Sequence, residues 1–262
     1  MHGPMTDPKE MKALIAQLPD GIQPLCAAVQ GLLIHGELLA IYGVVESLAA
    51  FSRDTMPLAA RLQQIQETDP RLLDIPRGPS ERSVGTCRDF ALMLCGFLRV
   101  KGIAARVRCG FVDYFLGVPW SDHWICEYWS VSEGRWVRID PQIDERQRSF
   151  YAKIDFDACD IPPNRFMTAG EAWGSCRSGH IDPSVCGHGD AKGLWFVRVN
   201  VYRDHLSVNH RETSPWDSWR QSRMGDQVMT EADFAVVDRI AMNPEAEPAS
   251  SAIPPWQIGV NR

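Results

Sequence analysis

Apolar positions recur at helical spacing over residues 20–50, where Leu25, Ala28, Val29, Leu32, Leu39 and Ala40 share a stripe. Pro24 stands near the start, where a missing amide proton costs nothing. His35 lies beside the stripe and reads as a core or rim histidine, since no partner for it is evident nearby. A second helix is predicted over 56–67, with Met56, Ala59, Leu62 and Ile65 on one side, ended by Asp69-Pro70. Residues 74–86 carry Pro76, Gly78, Pro79 and Gly85 and read as loop. The next segment, starting at Cys87, has the marks of a capped helix. Thr86 is the N-cap, Asp89 follows three positions later, Arg99 and Lys101 fill the last turn and Gly102 stops it. Its interior is apolar nearly all round, which predicts burial.

Strand-like runs follow at 104–112, 123–129 and 135–140, and the last two flank a turn-length segment ending in Gly134, which predicts a hairpin. Beyond 150 the pattern turns irregular. Residues 193–209 fit a helix through Leu194, Val197, Val201 and Val208, although Trp195-Phe196-Val197 also suits a strand. Residues 243–262 hold four prolines and read as a loose tail. The pattern divides the chain into an N-terminal helical region (1–80), a core (81–150), a C-terminal extension packed on that core (151–242) and the tail (243–262).

Composition narrows the picture. Of 262 residues, 45% are apolar and 23% charged, so the chain can bury a core without disulfide staples. The net charge of −6 disfavours nucleic acid as a partner, which calls for a basic face. The first residues lack a basic stretch followed by an apolar run, and apolar stretches break well before the ~20 residues of a membrane span, so a cytoplasmic protein without a membrane partner is expected. The eight cysteines form no Cys-x-x-Cys pair and mostly sit in apolar segments, which suits free thiols in a reducing compartment. Packing accounts for seven of them.

Cys87 differs because it opens a buried helix, where unpaired backbone amides and the helix dipole favour a thiolate. The hairpin supplies a second argument. With the turn centred on Ser132, cross-strand partners sum to about 264 (the antiparallel pairing rule). His123 then lies opposite 140 or 141, and within one residue of register His123 and Asp140 are neighbours on one face, with directly opposed Cβ atoms roughly 5 Å apart. Each feature alone has a structural explanation: a packed thiol, a strand-end histidine, an Asp-Pro turn. Together they form a nucleophile, a base and the base's orienter.

At these residues the chain resembles the transglutaminase-like superfamily, which includes transglutaminases, peptide N-glycanases and many bacterial proteins. The resemblance is carried by Gly85-Thr86-Cys87-Arg88-Asp89-Phe90 and the helix after it to Arg106, by Arg108-Cys109-Gly110-Phe111, by Asp122-His123-Trp124-Ile125-Cys126-Glu127-Tyr128-Trp129, and by Gly134 to Pro141. It implies an α+β, papain-like core in which a helix bearing the cysteine packs on an antiparallel sheet bearing His and Asp, with extra helices. It implies a Cys87–His123–Asp140 triad acting through a thioester on an amide, with no cofactor and no metal. Amidase or peptidase hydrolysis of a small amide or peptide is expected first, acyl transfer to an amine second, and a non-catalytic binding module on a triad scaffold third. Arg88, Arg108 and Trp124 are the candidate substrate contacts; Arg82, Arg88 and Arg108 flank the site and could hold a substrate carboxylate, although ordinary salt bridges are the preferred explanation for the arginines, and Asp144 is the alternative orienter. Many relatives place an oxyanion-donating tryptophan upstream of the cysteine. No Trp precedes position 120 here, so the donor beside the Cys87 amide is unassigned.

Two further groups invite attention. Cys176, His180, Cys186 and His188 could ligate zinc, but their spacing is unlike the common zinc ribbons and fingers, and a Gly-rich loop with incidental thiols is the preferred reading. Trp173, Trp195, Trp216 and Trp219 read as packing residues before pocket residues.

Overall fold

The computed structural model describes residues 2–44, 57–213, 219, 228–247 and 253–254. Met56, residues 45–50, Trp216 and most of the tail after 247 lie outside the described residues. The chain is an α+β protein whose contacts divide it into two units. One comprises Met1–Val107 with Ile125–Ile161, the other Arg108–Trp124 with Pro162–Arg262. The contact pattern thus cuts the chain elsewhere than at 80 and 150.

In the first unit α1 is Lys12–Ala16 and α2 is Ile22–Leu32. The helical stripe expected to run onward from residue 20 stops at Leu32, because Leu33 turns extended (φ −116°, ψ 151°) and Leu33–His35 form strand β1. Residues Leu39–Tyr42 are a short 3-10 turn. Helix α3 is Leu58–Thr68. Strand β2, Ser83–Gly85, emerges from the segment expected to be loop and pairs in parallel with β1. Three-residue strands are too short to show a period, which is why the sequence pattern misses both.

Helix α4 spans Cys87–Val100, with Lys101 as its C-cap and Gly102 at φ +78° turning the chain away. Helices α1, α2 and α3 all contact it, so the apolar positions around its whole circumference are used.

Strand β3 is Ala105–Val112 and strand β4 is Trp120–Ser130. Each has one end in each unit. β5, Arg135–Ile139, pairs antiparallel with β4 from Ser130↔Arg135 to Cys126↔Ile139, so paired residues sum to 265. The expected sum of about 264 is one short because Ser130 already belongs to the strand. Its carbonyl accepts the Gly134 N–H at 2.8 Å across a loop whose midpoint falls between Ser132 and Glu133. Trp129 and Trp136 meet edge-on at 5.7 Å, with the Arg106 guanidinium 4.1 Å over Trp136. Within this unit α4 packs on β4, and burial together with a hydrogen bond to Cys95 raises the Cys126 thiol well above its ordinary value. Helix α5, Glu145–Phe150, follows.

In the second unit, β6 (Phe166–Thr168) pairs antiparallel with β3. Gly110 permits this approach, since a Cβ there would lie 2.0 Å from the Met167 carbonyl oxygen. Far from being irregular, the chain beyond 150 then forms α6 (Ala169–Arg177), started by a Thr168/Glu171 capping box. Strand β7 (Cys186–His188) runs parallel to β4, and β8 (Ala191–Lys192) pairs antiparallel with β7. The ambiguous stretch at 193–209 is helix α7, Leu194–Val208, and Glu231–Met242 is α8. α7 contacts α6 and α8 and is buried from Phe196 to Val208, which explains its lack of a polar face. Its apolar residues join Phe111, Trp173, Trp219, Val237 and Ile240 in one core, so Trp173 and Trp219 are packing residues. Among the described residues no helix is long and apolar enough to cross a membrane.

Candidate active site

Cys87 is the first residue of α4 and is half-buried, whereas every residue from Arg88 to Leu98 is buried. The helix start is tightly built. Asp89 Oδ2 accepts the Thr86 N–H at 2.7 Å and its hydroxyl at 3.2 Å, and Asp89 Oδ1 lies 3.3 Å from Arg61 Nη2. Arg61 also donates to Ser83 Oγ and the Val84 carbonyl, both at 2.9 Å. One buried guanidinium therefore joins α3, β2 and the first turn of α4.

Asp140 follows directly on β5 and is 1% exposed. Its N–H donates to the Ala158 carbonyl at 2.9 Å, and its Oδ1 accepts the Gln142 N–H at 3.0 Å. Gln142 donates through Nε2 to Gln147 Oε1 at 3.0 Å, and Gln147 donates to Tyr42 Oη at 3.0 Å. Asp144 occupies the end of this network as the N-cap of α5. Its Oδ1 accepts the Gln147 N–H at 3.0 Å and its Oδ2 the Tyr42 hydroxyl at 2.8 Å. Both oxygens of the alternative orienter are thus engaged, one in capping α5 and the other by the Tyr42 hydroxyl.

His123 belongs to the second unit and is 1% exposed. Its ring meets Phe115 edge-on at 4.8 Å and Tyr114 at 6.1 Å, an aromatic wall that fixes the imidazole plane. The preceding Asp122 accepts from Asn200 Nδ2 on α7 at 2.8 Å, anchoring this end of β4. The observed β4–β5 ladder ends at Cys126↔Ile139. Asp140 stands one residue past that last pair and His123 three residues before it, so neither belongs to the ladder.

The three candidate substrate contacts are buried. Arg88 is fully buried with Asp89 Oδ1 3.9 Å away, and Trp124 is 1% exposed. Arg108 is held by Asp204 through paired bonds of 2.9 and 2.8 Å, a two-pronged buried ion pair. Arg82 likewise turns inward, donating to the Arg77 carbonyl at 3.0 Å.

Among the described residues no three His, Cys, Asp or Glu side chains converge as metal ligands. Of the four considered for zinc, Cys186 hydrogen-bonds Cys176, which lowers the Cys176 thiol and raises the Cys186 thiol. His180 Nδ1 lies 2.6 Å from Ser178 Oγ. A feature invisible to sequence reading is a surface cavity of about 370 Å³ lined by Gly21, Pro24, Tyr128, Val137, Asp157 and Cys159. Cys159 Sγ at its wall is 3.9 Å from Cys26 Sγ. No spacing rule relates residues 26 and 159.

Comparison with known proteins bears on the same residues. Residues 64–141 match the Transglutaminase-like superfamily, a span that includes Cys87, His123 and Asp140. No curated protein matches the chain. Among solved structures it is similar to a candidate cysteine protease from Cytophaga hutchinsonii, at 14% identity and a TM-score of 0.37, over 64% of this chain and 43% of that one. The chain therefore spans less than half the length of that protein.

Proposed function

Because residues 64–141 belong to the transglutaminase-like superfamily, we propose that this thiol enzyme cleaves an amide through a Cys87 thioester, with His123 as base and Asp140 as the group that orients it. The observation that carries the reading is the exposure break at the start of α4. Cys87 opens toward the surface while the eleven residues from Arg88 to Leu98 are buried. A packing cysteine would follow its neighbours inward. A nucleophile has to meet solvent at one end of a rigid helix.

In this mechanism the Cys87 sulfur attacks the amide carbonyl and the electron pair of the C=O bond moves to oxygen. Collapse of that intermediate expels the amine, which takes a proton from the His123 imidazolium. His123 then removes a proton from water, which attacks the thioester and frees both the acid and the thiol. Asp140 supports the positively charged ring during the first half-reaction. Water is the acceptor that needs no binding site of its own, which places hydrolysis ahead of transfer to an amine. Ammonia or amine release measured with and without an added primary amine separates the two.

The reading is tested by trapping the acyl enzyme and locating the adduct by mass spectrometry. The expected result is added mass on the peptide containing Cys87 and none in Cys87→Ala of unchanged circular dichroism. Equal adduct in that variant would refute it.

A further inference from the structure

A second pair of sulfur atoms in the first unit has no part in the acyl-transfer reading. Cys26 is one of the buried residues of α2, and Cys159 stands in a turn after α5, with the two sulfurs 3.9 Å apart. Backbone contacts on both sides of Cys159 fix that meeting. The Asp140 N–H donates to the Ala158 carbonyl and the Ile161 N–H to the Arg138 carbonyl, each at 2.9 Å. Within the turn, the Cys159 N–H donates to Asp157 Oδ1 at 2.8 Å. The thiols are therefore held together by the chain and not by two chance rotamers.

The pair is asymmetric in access. Cys26 is 4% exposed, whereas Cys159 is half-buried and lines the cavity of about 370 Å³ beside the first turn of α2. A water molecule takes about 30 Å³ of liquid, so a molecule as small as a peroxide enters with room to spare. It is asymmetric in chemistry as well. The hydrogen bond from Cys26 lowers the Cys159 thiol despite burial, and the same bond together with burial raises Cys26. The sulfur at the cavity wall thus has the greater thiolate character, and its partner waits behind it. Cys95 and Cys126 also hydrogen-bond to each other, but both are wholly buried.

We propose that Cys159 and Cys26 form a peroxide-reactive dithiol site, in which Cys159 is oxidised from the cavity and Cys26 closes a disulfide with it. The Cys159 sulfur attacks one peroxide oxygen, the S–O bond forms, the O–O bond breaks and hydroxide leaves, taking a proton as water. The Cys26 sulfur then attacks the resulting sulfenic acid. The S–S bond forms, the S–O bond breaks, and the departing hydroxide takes the Cys26 proton as a second water. Two thiols and one peroxide become one disulfide and two waters. The sulfurs must close from 3.9 Å to about 2 Å, which rotation of the half-buried Cys159 side chain supplies while the contacts at Ala158 and Ile161 stay in place. None of these steps involves Cys87.

The test treats the reduced full chain with stoichiometric hydrogen peroxide, removes the excess with catalase, unfolds the protein and blocks remaining thiols with iodoacetamide. Peptides are then mapped with and without dithiothreitol. The expected product is a Cys26–Cys159 linked peptide that holds most of the Cys159 recovered and disappears on reduction. In Cys26→Ser, the same treatment with dimedone present is expected to place the dimedone adduct on Cys159. Should Cys26→Ser fail to fold, Cys159→Ser changes only the residue of the turn, and Cys26 is then expected to survive peroxide as a free thiol. Three outcomes would overturn the proposal. Cys26 and Cys159 could both be recovered alkylated while Cys176 and Cys186 are bridged. Cys159 could be linked to a cysteine other than Cys26. Cys26 could be oxidised in Cys159→Ser as fast as in the unaltered chain.

Discussion

Arg61 Nη2 lies 3.3 Å from Asp89 Oδ1 with both side chains buried, and the other Asp89 oxygen caps the helix that begins at Cys87. The thiol's position thus depends on an ion pair made by another helix. Arg61→Ala strands the Asp89 carboxylate in the interior, and a loss of about 3–5 kcal/mol in unfolding free energy is expected. Denaturant titration measures it. A loss below about 1 kcal/mol would mean that the pair behaves as a surface bridge.

Asp140 and Asp144 are distinguished by opposite substitutions. Asp140→Asn is expected to lower acyl transfer by roughly 10⁴-fold, by analogy with removal of the carboxylate from a serine-protease triad, with little change in melting temperature. Asp144→Ala removes the N-cap of α5 and should cost about 1 kcal/mol while acylation of Cys87 persists. The reverse pattern would make Asp144 the orienter.

His205 gives the second unit a pH dependence. It is 3% exposed, its Nδ1 donates to the Pro244 carbonyl at 2.7 Å, and burial lowers its pKa from 6.5. The unfolded chain therefore takes up the proton first. The contribution is fully present above about pH 6.5, is lost as pH falls toward the lowered folded value, and changes no further below it. Thermal unfolding between pH 7.5 and 5 should show this loss, and His205→Gln should flatten it. Wild type and variant falling in parallel would exclude His205 as the cause.

The thiols should alkylate in a definite order. Hydrogen bonds from Cys26 and Cys186 lower the thiols of Cys159 and Cys176, and those two are half-buried. They are the expected competitors of Cys87. Cys26, Cys126 and Cys186 are buried with raised thiols, and should react only on unfolding. Peptide mapping after a short pulse of iodoacetamide gives the order directly. Early labelling of Cys26 ahead of Cys159 would contradict it.

What the sequence conveyed was strongest where a local rule acts alone. Thr86, Asp89 and Gly102 bound α4 because capping and left-handed geometry are decided within a few residues. The hairpin showed through Gly134, yet its register slipped by one, since a loop's midpoint depends on whether Ser130 pairs, and its partner Arg135 decides that from outside the turn. β1 and β2 were missed because their pairing joins residues fifty positions apart with no periodicity to announce it. For Arg108 the salt bridge preferred from the sequence is made with Asp204, a partner 96 residues away that no spacing announces.

The path of β3 and β4 has a consequence for how the protein is made. The chain leaves the first unit after Val107, returns at Ile125 and departs again after Ile161. On the ribosome, the helix bearing Cys87 is complete long before the strand segment 125–139 that it packs against has been synthesised. Its apolar girth must wait, shielded by α1–α3 alone or by a chaperone. A protease cut within 108–124 would leave both units lacking contiguous partners, so limited proteolysis should yield loss of the whole fold in preference to a surviving fragment.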